Sequence, residues 1–269
     1  MRNRIRKSLQ LLYGVLLLCC LFSFVAMAQQ PLHIKGVSDF SIDPLGNCYY
    51  RINDDIIKAD RGGRELSRFS RRDLGTPTSF DVSNPLRILV FYAPFARVRI
   101  LDNNLIEQSE IDLRSMGILQ PKVIAGTPDQ GIWIFEEISG SLLKLDTRLK
   151  STAISVDLNQ LLGRRPQPDL MIANQRWMVL KDAGEILIFD QFGTRARSLP
   201  LPGRTRMLQL NEDRLFYEEN GQIIDYSLVY NIGRPTDQKC PPEAVMARTH
   251  EEKCWYLTAN ELVFPTLKY

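Results

Sequence analysis

The two histidines, His33 and His250, are the residues best suited to acid and base chemistry in this 269-residue chain. His33 lies near the N-terminus and His250 is followed by Glu251 and Glu252, so their positions do not predict a shared site. The sequence contains no Gly-x-Ser-x-Gly elbow, no phosphate-binding loop and no histidine pair at metal-ligand spacing. We therefore predict no catalytic residues, no metal site and no cofactor, and we expect that the protein is not an enzyme.

Adjacent carboxylates are a second source of acid and base chemistry, and they occur at residues 54–55, 136–137 and 218–219. Neighbouring side chains on a strand or turn point apart, so such pairs are poor general acid and base partners. We interpret them as solvated turn charges. The alternative is a catalytic site assembled from distant segments, which the sequence alone does not expose.

Three cysteines, Cys48, Cys240 and Cys254, follow the N-terminal apolar segment. In an oxidising compartment they allow one disulfide and one free thiol, and Cys240 with Cys254 is the local candidate pair. The pairing stays open. None of the three has a histidine or a second cysteine at ligand spacing, which argues against a metal site.

The N-terminus has the pattern of a secretory signal peptide over residues 1–28. Four basic residues precede an apolar run over residues 9–25, and Ala26-Met27-Ala28 provides small residues for cleavage. The alternative is an uncleaved membrane anchor. A lipoprotein is not expected, because Leu18 precedes Cys19 where a small residue is required. We predict one mature domain over residues 29–269, which is not membrane-spanning after cleavage.

The charge balance of the predicted mature chain excludes one class of partner. Removing the leader changes the count from 34 basic and 31 acidic residues to 30 and 31. The pI of about 8.6 therefore belongs largely to the leader. A nearly neutral chain gives no reason to expect nucleic-acid binding.

Residues 78–113 predict the unit that must position these side chains. Short β-branched and aromatic runs at residues 79–82, 87–92, 97–101 and 106–113 are separated by Pro- and Asn-rich turns. They predict a four-stranded antiparallel meander. Similar starts occur at Phe40, Phe80, Val123, Met171, Leu208 and Val245, spaced by 40, 43, 48, 37 and 37 residues.

A period of about 40 residues is typical of a propeller or solenoid. The last unit has room for three strands, and residues 31–35 form an extra strand ahead of the first unit. We therefore predict an all-β, six-bladed β-propeller whose last blade is completed by the N-terminal strand. The alternative is a β-sandwich, which has no reason for the period.

An aspartate closes the third strand in four units, at Asp60, Asp102, Asp146 and Asp190. Aspartate stabilises turns by accepting hydrogen bonds from backbone two residues further on. Calcium binding is the alternative, but it needs several acidic oxygens in one loop, and these loops do not provide them.

In a propeller, the segments from the outer strand of one blade to the inner strand of the next cross a single face. Here they contain arginines and a lysine, which suit carboxylate partners at protein interfaces. The basic residues are Arg71, Arg72, Arg114, Arg164, Arg165, Arg204, Arg206, Arg234 and Lys239. The opposite turns contain Asp43, Asp129, Glu212, Asp213, Glu251 and Glu252. We predict a basic face opposite an acidic one; the alternative is ordinary solvated loop charge.

Two aromatic residues near one turn of the second unit, Tyr92 and Phe95, are further candidates for binding a partner. Exposed aromatics often dominate interface energies. The alternative is that they pack between blades.

Residues 81–92 (DVSNPLRILVFY), 99–102 (RILD) and 131–134 (GIWI) resemble a family of small secreted proteins of Bacteroidota. The resemblance is strongest over residues 80–146 and is to PorD-type periplasmic propellers. It implies a place beside the outer-membrane translocon of the type IX secretion system. It assigns no catalytic residues.

Together these features lead us to expect a non-catalytic periplasmic propeller that is peripheral to the outer membrane and binds protein partners in the cell envelope. We expect charge reversal at Arg164 and Arg165 to weaken such binding without changing thermal stability. The alternative is a carbohydrate-binding or glycan-processing propeller with a polar central pocket, although the inner strands supply mostly small or apolar residues. A permanent structural subunit would differ from the first role only in lifetime.

Overall fold

The computed structural model describes residues 32–201, 205–251 and 253–265, which belong to one compact unit from Leu32 to Pro265. The predicted signal peptide and Arg204 lie outside the described residues. Within the described part, the structure is nearly all β, and its strands form six four-stranded antiparallel sheets. No helix in these ranges is long and apolar enough to span a membrane.

Each of the first three sheets is built from consecutive strands, paired in chain order. Blade 1 comprises β2 (Val37–Ile42), β3 (Cys48–Ile52), β4 (Asp55–Ala59) and β5 (Glu65–Ser70). Blade 2 comprises β6 (Ser79–Asp81), β7 (Ile88–Tyr92), β8 (Arg97–Leu101) and β9 (Glu107–Asp112). Blade 3 comprises β10 (Pro121–Gly126), β11 (Ile132–Glu136), β12 (Ser141–Leu145) and β13 (Ser151–Ile154).

The next two sheets follow the same pattern. Blade 4 comprises β14 (Pro168–Ala173), β15 (Trp177–Asp182), β16 (Glu185–Asp190) and β17 (Arg195–Pro200). Blade 5 comprises β18 (Leu208–Asn211), β19 (Arg214–Glu219), β20 (Gln222–Ser227) and β21 (Ile232–Lys239). Arg234 and Lys239 were expected in a connection, but that expectation is wrong because β21 extends through both residues.

Blade 6 combines the two ends of the described chain. It comprises β22 (Met246–His250), β23 (Lys253–Leu257) and β24 (Glu261–Val263), with β1 (His33–Lys35) as its outermost strand. β1 pairs with β24 in the register His33 to Val263 and Lys35 to Glu261. The prediction of a six-bladed β-propeller completed by the N-terminal strand is confirmed.

The core consists of six apolar clusters, each shared by two neighbouring blades. The second strands supply much of it: all five residues of β7 and of β11 are buried. A strand covered by neighbouring sheets on both faces loses its polar alternation, which explains these continuous apolar runs. The cluster between blades 5 and 6 contains Met207, Ile223, Cys240, Ala244 and Ala247 as its buried members.

The four predicted aspartate turns all form. In the first, the Oδ1 atom of Asp60 accepts hydrogen bonds from the N–H groups of Gly62 (2.9 Å) and Arg64 (3.0 Å). Asp102, Asp146 and Asp190 make the same bonds to residues two and four positions later. Their carboxylates therefore hold the turn between the third and fourth strands.

In the described residues, four short helices lie between strands on one side of the ring. Three are 3-10 helices, at Arg72–Leu74, Ala93–Phe95 and Arg114–Met116. The fourth is α1 (Leu158–Leu162), whose N-cap Asp157 accepts a hydrogen bond from the N–H of Asn159 (2.8 Å). The helix ends at Gly163, where φ is +64°.

Candidate protein-interaction face

The meander topology divides the turns between two faces. The connecting face carries the segments from the outer strand of one blade to the inner strand of the next, and the turns between second and third strands. The opposite face carries the turns between first and second strands and between third and fourth strands. All four short helices belong to the connecting face.

Two of the predicted arginines, Arg164 and Arg206, hold connecting segments against second strands. The Nη1 atom of Arg164 lies 2.6 Å from Oδ2 of Asp182, whose side chain is 0% exposed, and Arg164 also contacts Glu185. Arg206 pairs with Glu218 at 3.0 Å. Hydrogen bonds to these acidic partners raise the pKa of both arginines, which burial alone would lower.

The same carboxylates also accept backbone hydrogen bonds from the connecting segments. Asp182 binds the N–H of Gln167 at 2.5 Å, and Glu218 binds the N–H of Arg206 at 3.2 Å. In blade 3, Glu136 binds the N–H of Gln120 at 2.8 Å. Three blades therefore use an acidic residue at the end of the second strand to fix the incoming segment.

The expectation that Glu136 and Glu218 are solvated is wrong, because both are buried, 5% and 6% exposed. Burial alone would raise the pKa of each carboxyl. Hydrogen bonds outweigh burial and lower both pKa values: backbone N–H groups including that of Ser139 act on Glu136, and Arg206 and the backbone act on Glu218. These groups therefore stabilise the fold as carboxylates.

Arg71 is also bound within the chain. Its guanidinium contacts both carboxylate oxygens of Asp73 (2.9 and 3.0 Å) and the Oε2 atom of Glu107 (3.1 Å). Glu107 in turn pairs with Arg99, which is 7% exposed. Arg71 therefore belongs to a structural ion-pair network at the boundary of blades 1 and 2.

The remaining predicted arginines of the connecting face make fewer hydrogen bonds and ion pairs within the chain. Arg72 is exposed, and among the described residues its guanidinium forms no hydrogen bond or ion pair, although hydrogen bonding and, to a smaller extent, the charge of Arg72 lower the pKa of Asp55. Arg114 is exposed and donates to the carbonyl of Pro94 at 2.9 Å. The side chain of Arg165 is 60% exposed, with Glu137 3.7 Å away. These three guanidinium groups are available to an external partner.

The two aromatic candidates differ in burial. Tyr92 is 0% exposed, so the expectation that it is an exposed anchor is wrong. It packs between blades 1 and 2 with Tyr49 and Val90, and burial raises its pKa to about 12. Phe95 is 43% exposed in the turn after β7. A strand that is covered on both faces has no polar alternation, so the sequence contains no signal that separates the buried Tyr92 from the exposed Phe95.

Sequence reasoning identified only Phe95 from a group of exposed apolar residues on the connecting face, which we call the apolar sector. Its members are Phe95, Leu119, Ile138, Val156 and Leu161, exposed by 43, 52, 57, 64 and 38% respectively. In the described residues, no other large apolar side chain in a turn or connection of this face is exposed. All come from blade 2, blade 3 and the connections that follow them. A single apolar residue between polar neighbours was the available signal, as at Ile138 between Glu137 and Ser139 or Val156 between Ser155 and Asp157.

The opposite face is less acidic than predicted. Asp43 is 1% exposed and accepts hydrogen bonds from Leu45, Asn47 and Tyr49. Other acidic residues there have basic partners: Asp129 with Lys144 (2.8 Å), Asp213 with Arg176 (2.6 Å) and Glu251 with Arg61 (2.8 Å). The side chain of Glu252 lies outside the described residues. The predicted acidic face is therefore largely neutralised by pairing.

The inner strands contain a polar junction between blades 5, 6 and 1. Gln209 exchanges hydrogen bonds with the backbone N–H (2.8 Å) and carbonyl (3.0 Å) of Thr249. Burial raises the pKa of the nearby Asp39 carboxyl, and the positive charge of Arg248 opposes this shift. These contacts join the first strands of neighbouring blades around the centre of the ring.

The two histidines lie on the outermost and innermost strands of blade 6. His33 on β1 contacts Glu261 through Nδ1 at 2.8 Å. His250 ends β22, with Glu251 3.6 Å from its Nε2 atom. Three strand spacings of about 4.8 Å each separate the two strands, so the histidines do not share a site.

A polar cleft of about 750 Å³ opens where blade 5 leads into blade 6. Its lining includes Arg206, Glu218, Asn220, Gln222 and Lys239. Cys240 borders the cleft and shares a buried cluster with Cys254; both are free thiols, as is Cys48. Burial raises the pKa of both clustered thiols, that of Cys254 to about 11. They are therefore protonated at neutral pH.

The described residues contain no group of three or more His, Cys, Asp or Glu side chains arranged to hold a metal ion. No protein-family model matches the sequence. No curated relative matches it either.

Solved structures with a similar fold do exist. A streptogramin B lyase has a TM-score of 0.59 at 14% identity, covering 86% of this chain and 82% of its own. The Pan2 WD40 domain of Neurospora crassa has a TM-score of 0.57 at 11% identity, covering 83% and 73%. Virginiamycin B lyase from Staphylococcus aureus has a TM-score of 0.55 at 14% identity, covering 86% and 80%. At these identities the likeness establishes the β-propeller fold alone.

Proposed function

We propose that the protein is a non-catalytic periplasmic propeller that binds a protein partner through its connecting face. The observation that carries the proposal is the apolar sector together with the exposed guanidinium groups of Arg114 and Arg165. Clustered exposed apolar side chains mark interaction surfaces, and arginine is enriched at protein interfaces. The propeller fold supplies a rigid support for such a surface.

The cell envelope is the proposed location, and the outer-membrane translocon of the type IX secretion system is the proposed assembly. Two sequence features support this part. Residues 1–28 have the pattern of a secretory signal peptide, and residues 80–146 resemble PorD-type propellers. The protein would serve there as an accessory subunit.

A non-catalytic role agrees with how the described residues use their titratable groups. Glu136, Asp182 and Glu218 fix connecting segments, and the two histidines lie on opposite edges of one blade. These groups already perform structural work in the folded chain. General acid and base catalysis needs a group free to exchange its proton with a substrate.

Affinity purification from native membranes tests this function. The tagged full-length protein should recover outer-membrane translocon subunits. The double variant Arg114→Glu/Arg165→Glu should recover much less, because charge complementarity with the partner is lost. Arg148→Glu/Lys150→Glu on the opposite face is the matched control and should behave as wild type. Recovery of the protein alone would contradict the proposal.

A second candidate function is carbohydrate binding or glycan processing. The polar cleft beside Arg206 and Glu218 favours it, since polar groups converge on a concave surface of suitable volume. The cleft lies at the connecting face between blades 5 and 6, where the sequence had suggested a central pocket. Binding to a glycan array, or turnover of a glycoside panel that Lys239→Ala or Gln222→Ala abolishes, would favour this role over protein binding.

A further inference from the structure

The position of the apolar sector and the charged residues beside it indicate the kind of partner that it binds. We infer that it docks an apolar polypeptide segment that carries carboxylates on both sides of its apolar residues. The segment lies across Leu119 and Ile138, with its carboxylates at Arg114 and Arg165. This inference rests on the proposed protein-binding role and adds the docking site and the chemistry of the occupant.

Backbone contacts place the centre of the sector on neighbouring turns. The N–H of Glu137 donates to the carbonyl of Gln120 at 3.0 Å, so the turn containing Ile138 meets the connection containing Leu119. Leu119 directly follows Ile118, which is 4% exposed and belongs to the core cluster of blades 2 and 3. The connection is therefore anchored while the next side chain projects outward.

The two ends of the sector are fixed by further contacts. Phe95 lies beside Arg114, because Arg114 binds the carbonyl of Pro94 at 2.9 Å. At the other end, the N–H of Leu158 donates to the carbonyl of Gly140 at 2.8 Å and holds α1 against the turn of blade 3. Val156 and Leu161 flank that contact. The N–H of Leu113 donates to the carbonyl of Ala96 at 2.9 Å, and that of Ile118 donates to the carbonyl of Leu113 at 3.0 Å, so the sector follows hydrogen-bonded segments from the turn after β7 to α1.

The charges around the sector favour an acidic occupant. Arg114 has no carboxylate partner among the described residues, and Arg165 has only the 3.7 Å contact with Glu137. Of the acidic residues nearby, Glu137 contacts Lys122 and Arg165, Asp112 contacts Arg97 at 3.0 Å, and the N-cap Asp157 accepts hydrogen bonds from Asn159. The exposed guanidinium groups of Arg114 and Arg165 therefore remain available at the rim, and carboxylates of a partner complement them.

The apolar side chains of the opposite face are arranged differently. Among the described residues, Leu45, Leu86, Ile106, Phe192, Val229 and Tyr230 lie in turns of four different blades. Scattered exposed apolar residues are ordinary surface features, whereas a contiguous group beside arginines is typical of an interface core with its rim. This contrast singles out blades 2 and 3 of the connecting face.

Site-specific photo-crosslinking in native cells tests the inference. The full-length protein would carry a photo-reactive residue at position 119 or 138, or at control positions 86 or 192. Mass spectrometry would then identify the crosslinked segment. We expect crosslinks from positions 119 and 138 to an apolar segment flanked by Asp or Glu, and none from positions 86 and 192.

Other outcomes separate this inference from the proposed function. An envelope partner crosslinked only from positions 86 or 192 would overturn the docking site while leaving protein binding intact. A crosslinked segment that is basic or uncharged, or that comes from a second copy of this chain, would overturn the stated chemistry. Absence of any crosslink, together with recovery of the protein alone from membranes, would overturn both.

Binding of the crosslinked segment as a synthetic peptide gives a second measurement. Arg114→Glu, Arg165→Glu and Ile138→Ser should each weaken binding roughly tenfold, and Arg148→Glu should not. A peptide with Lys in place of its Asp and Glu residues should bind the Arg114→Glu/Arg165→Glu variant better than wild type. Equal binding of both peptides to both proteins would refute charge complementarity.

Discussion

Arg164 and Arg165 show how adjacent arginines can serve different purposes. Arg164 binds Asp182, which is buried at the end of β15 and also accepts the backbone N–H of Gln167. The side chain of Arg165 is 60% exposed. The first residue stabilises the fold and the second is available at the surface, although the sequence presents them as an equivalent pair.

Charge reversal should therefore affect the two residues differently. Arg164→Glu removes the cation beside Asp182 and adds a like charge. It should lower the free energy of unfolding by about 1–3 kcal/mol, at the low end for a buried pair because the guanidinium is 37% exposed. Arg165→Glu should change it by less than about 0.5 kcal/mol. Urea denaturation of both variants measures this.

This revises the sequence-based expectation that reversal at both positions leaves thermal stability unchanged. Equal stability of the two variants would show that Asp182 does not depend on Arg164. The acidic partner follows 18 positions later in the chain, and only the register of β14 with β15 brings it to the arginine. Sequence spacing therefore predicts that arginines lie on the connecting face, but not which of them are occupied.

Among the elements, the turn between β11 and β12 and helix α1 depend on each other. Gly140 has φ of +63°, and a Cβ atom there would lie 2.6 Å from Oδ1 of Asp157 and would also clash with the amide of Asn159. Asp157 is the N-cap of α1. The apolar sector spans this junction, so glycine is needed for both the turn and the adjacent surface.

Gly140→Ala should destabilise the protein by about 2–4 kcal/mol, since left-handed strain and crowding of the N-cap both act. Gly117→Ala is the matched control: its φ is +82°, but nothing lies within 4 Å of the added atom. It should cost about 1 kcal/mol. Thermal denaturation compares the two. Similar losses would show that backbone strain alone explains the effect.

Element positions were the most predictable part of the fold. The run predicted at residues 87–92 is the second strand Ile88–Tyr92, and the run predicted at residues 97–101 is the third strand Arg97–Leu101. Such runs are predictable because both faces are buried by neighbouring blades. The same burial made it impossible to tell from the sequence that Tyr92 is buried and Phe95 exposed. The 40-residue period also did not predict that β21 is eight residues long and includes Arg234 and Lys239.

At the scale of the whole molecule, the ring depends on one pairing between its ends. β1 covers the edge of β24, and Ile34 packs against the cluster shared by blades 6 and 1. An uncovered β24 would expose unpaired backbone groups that can pair with other chains. The three residues of β1 therefore both close the core and protect an edge.

Deletion of residues 29–35 should lower the free energy of unfolding by about 2–4 kcal/mol, from lost apolar burial and lost strand pairing. It should also produce dimers or larger species through the free edge of β24. His33→Ala removes only the exposed contact with Glu261 and should change little. Denaturation and size-exclusion chromatography measure both effects. A monomeric deletion variant of wild-type stability would contradict this account of closure.

The pairing of His33 with Val263 also sets the order in which this protein can mature. During synthesis the sealing strand is made before blades 1 to 5, and its partner β24 follows only after them. Such long-range pairing slows folding and leaves intermediates exposed to aggregation. The ring therefore cannot close before β24 has been made, and a product terminated ahead of β24 has no means of sealing itself.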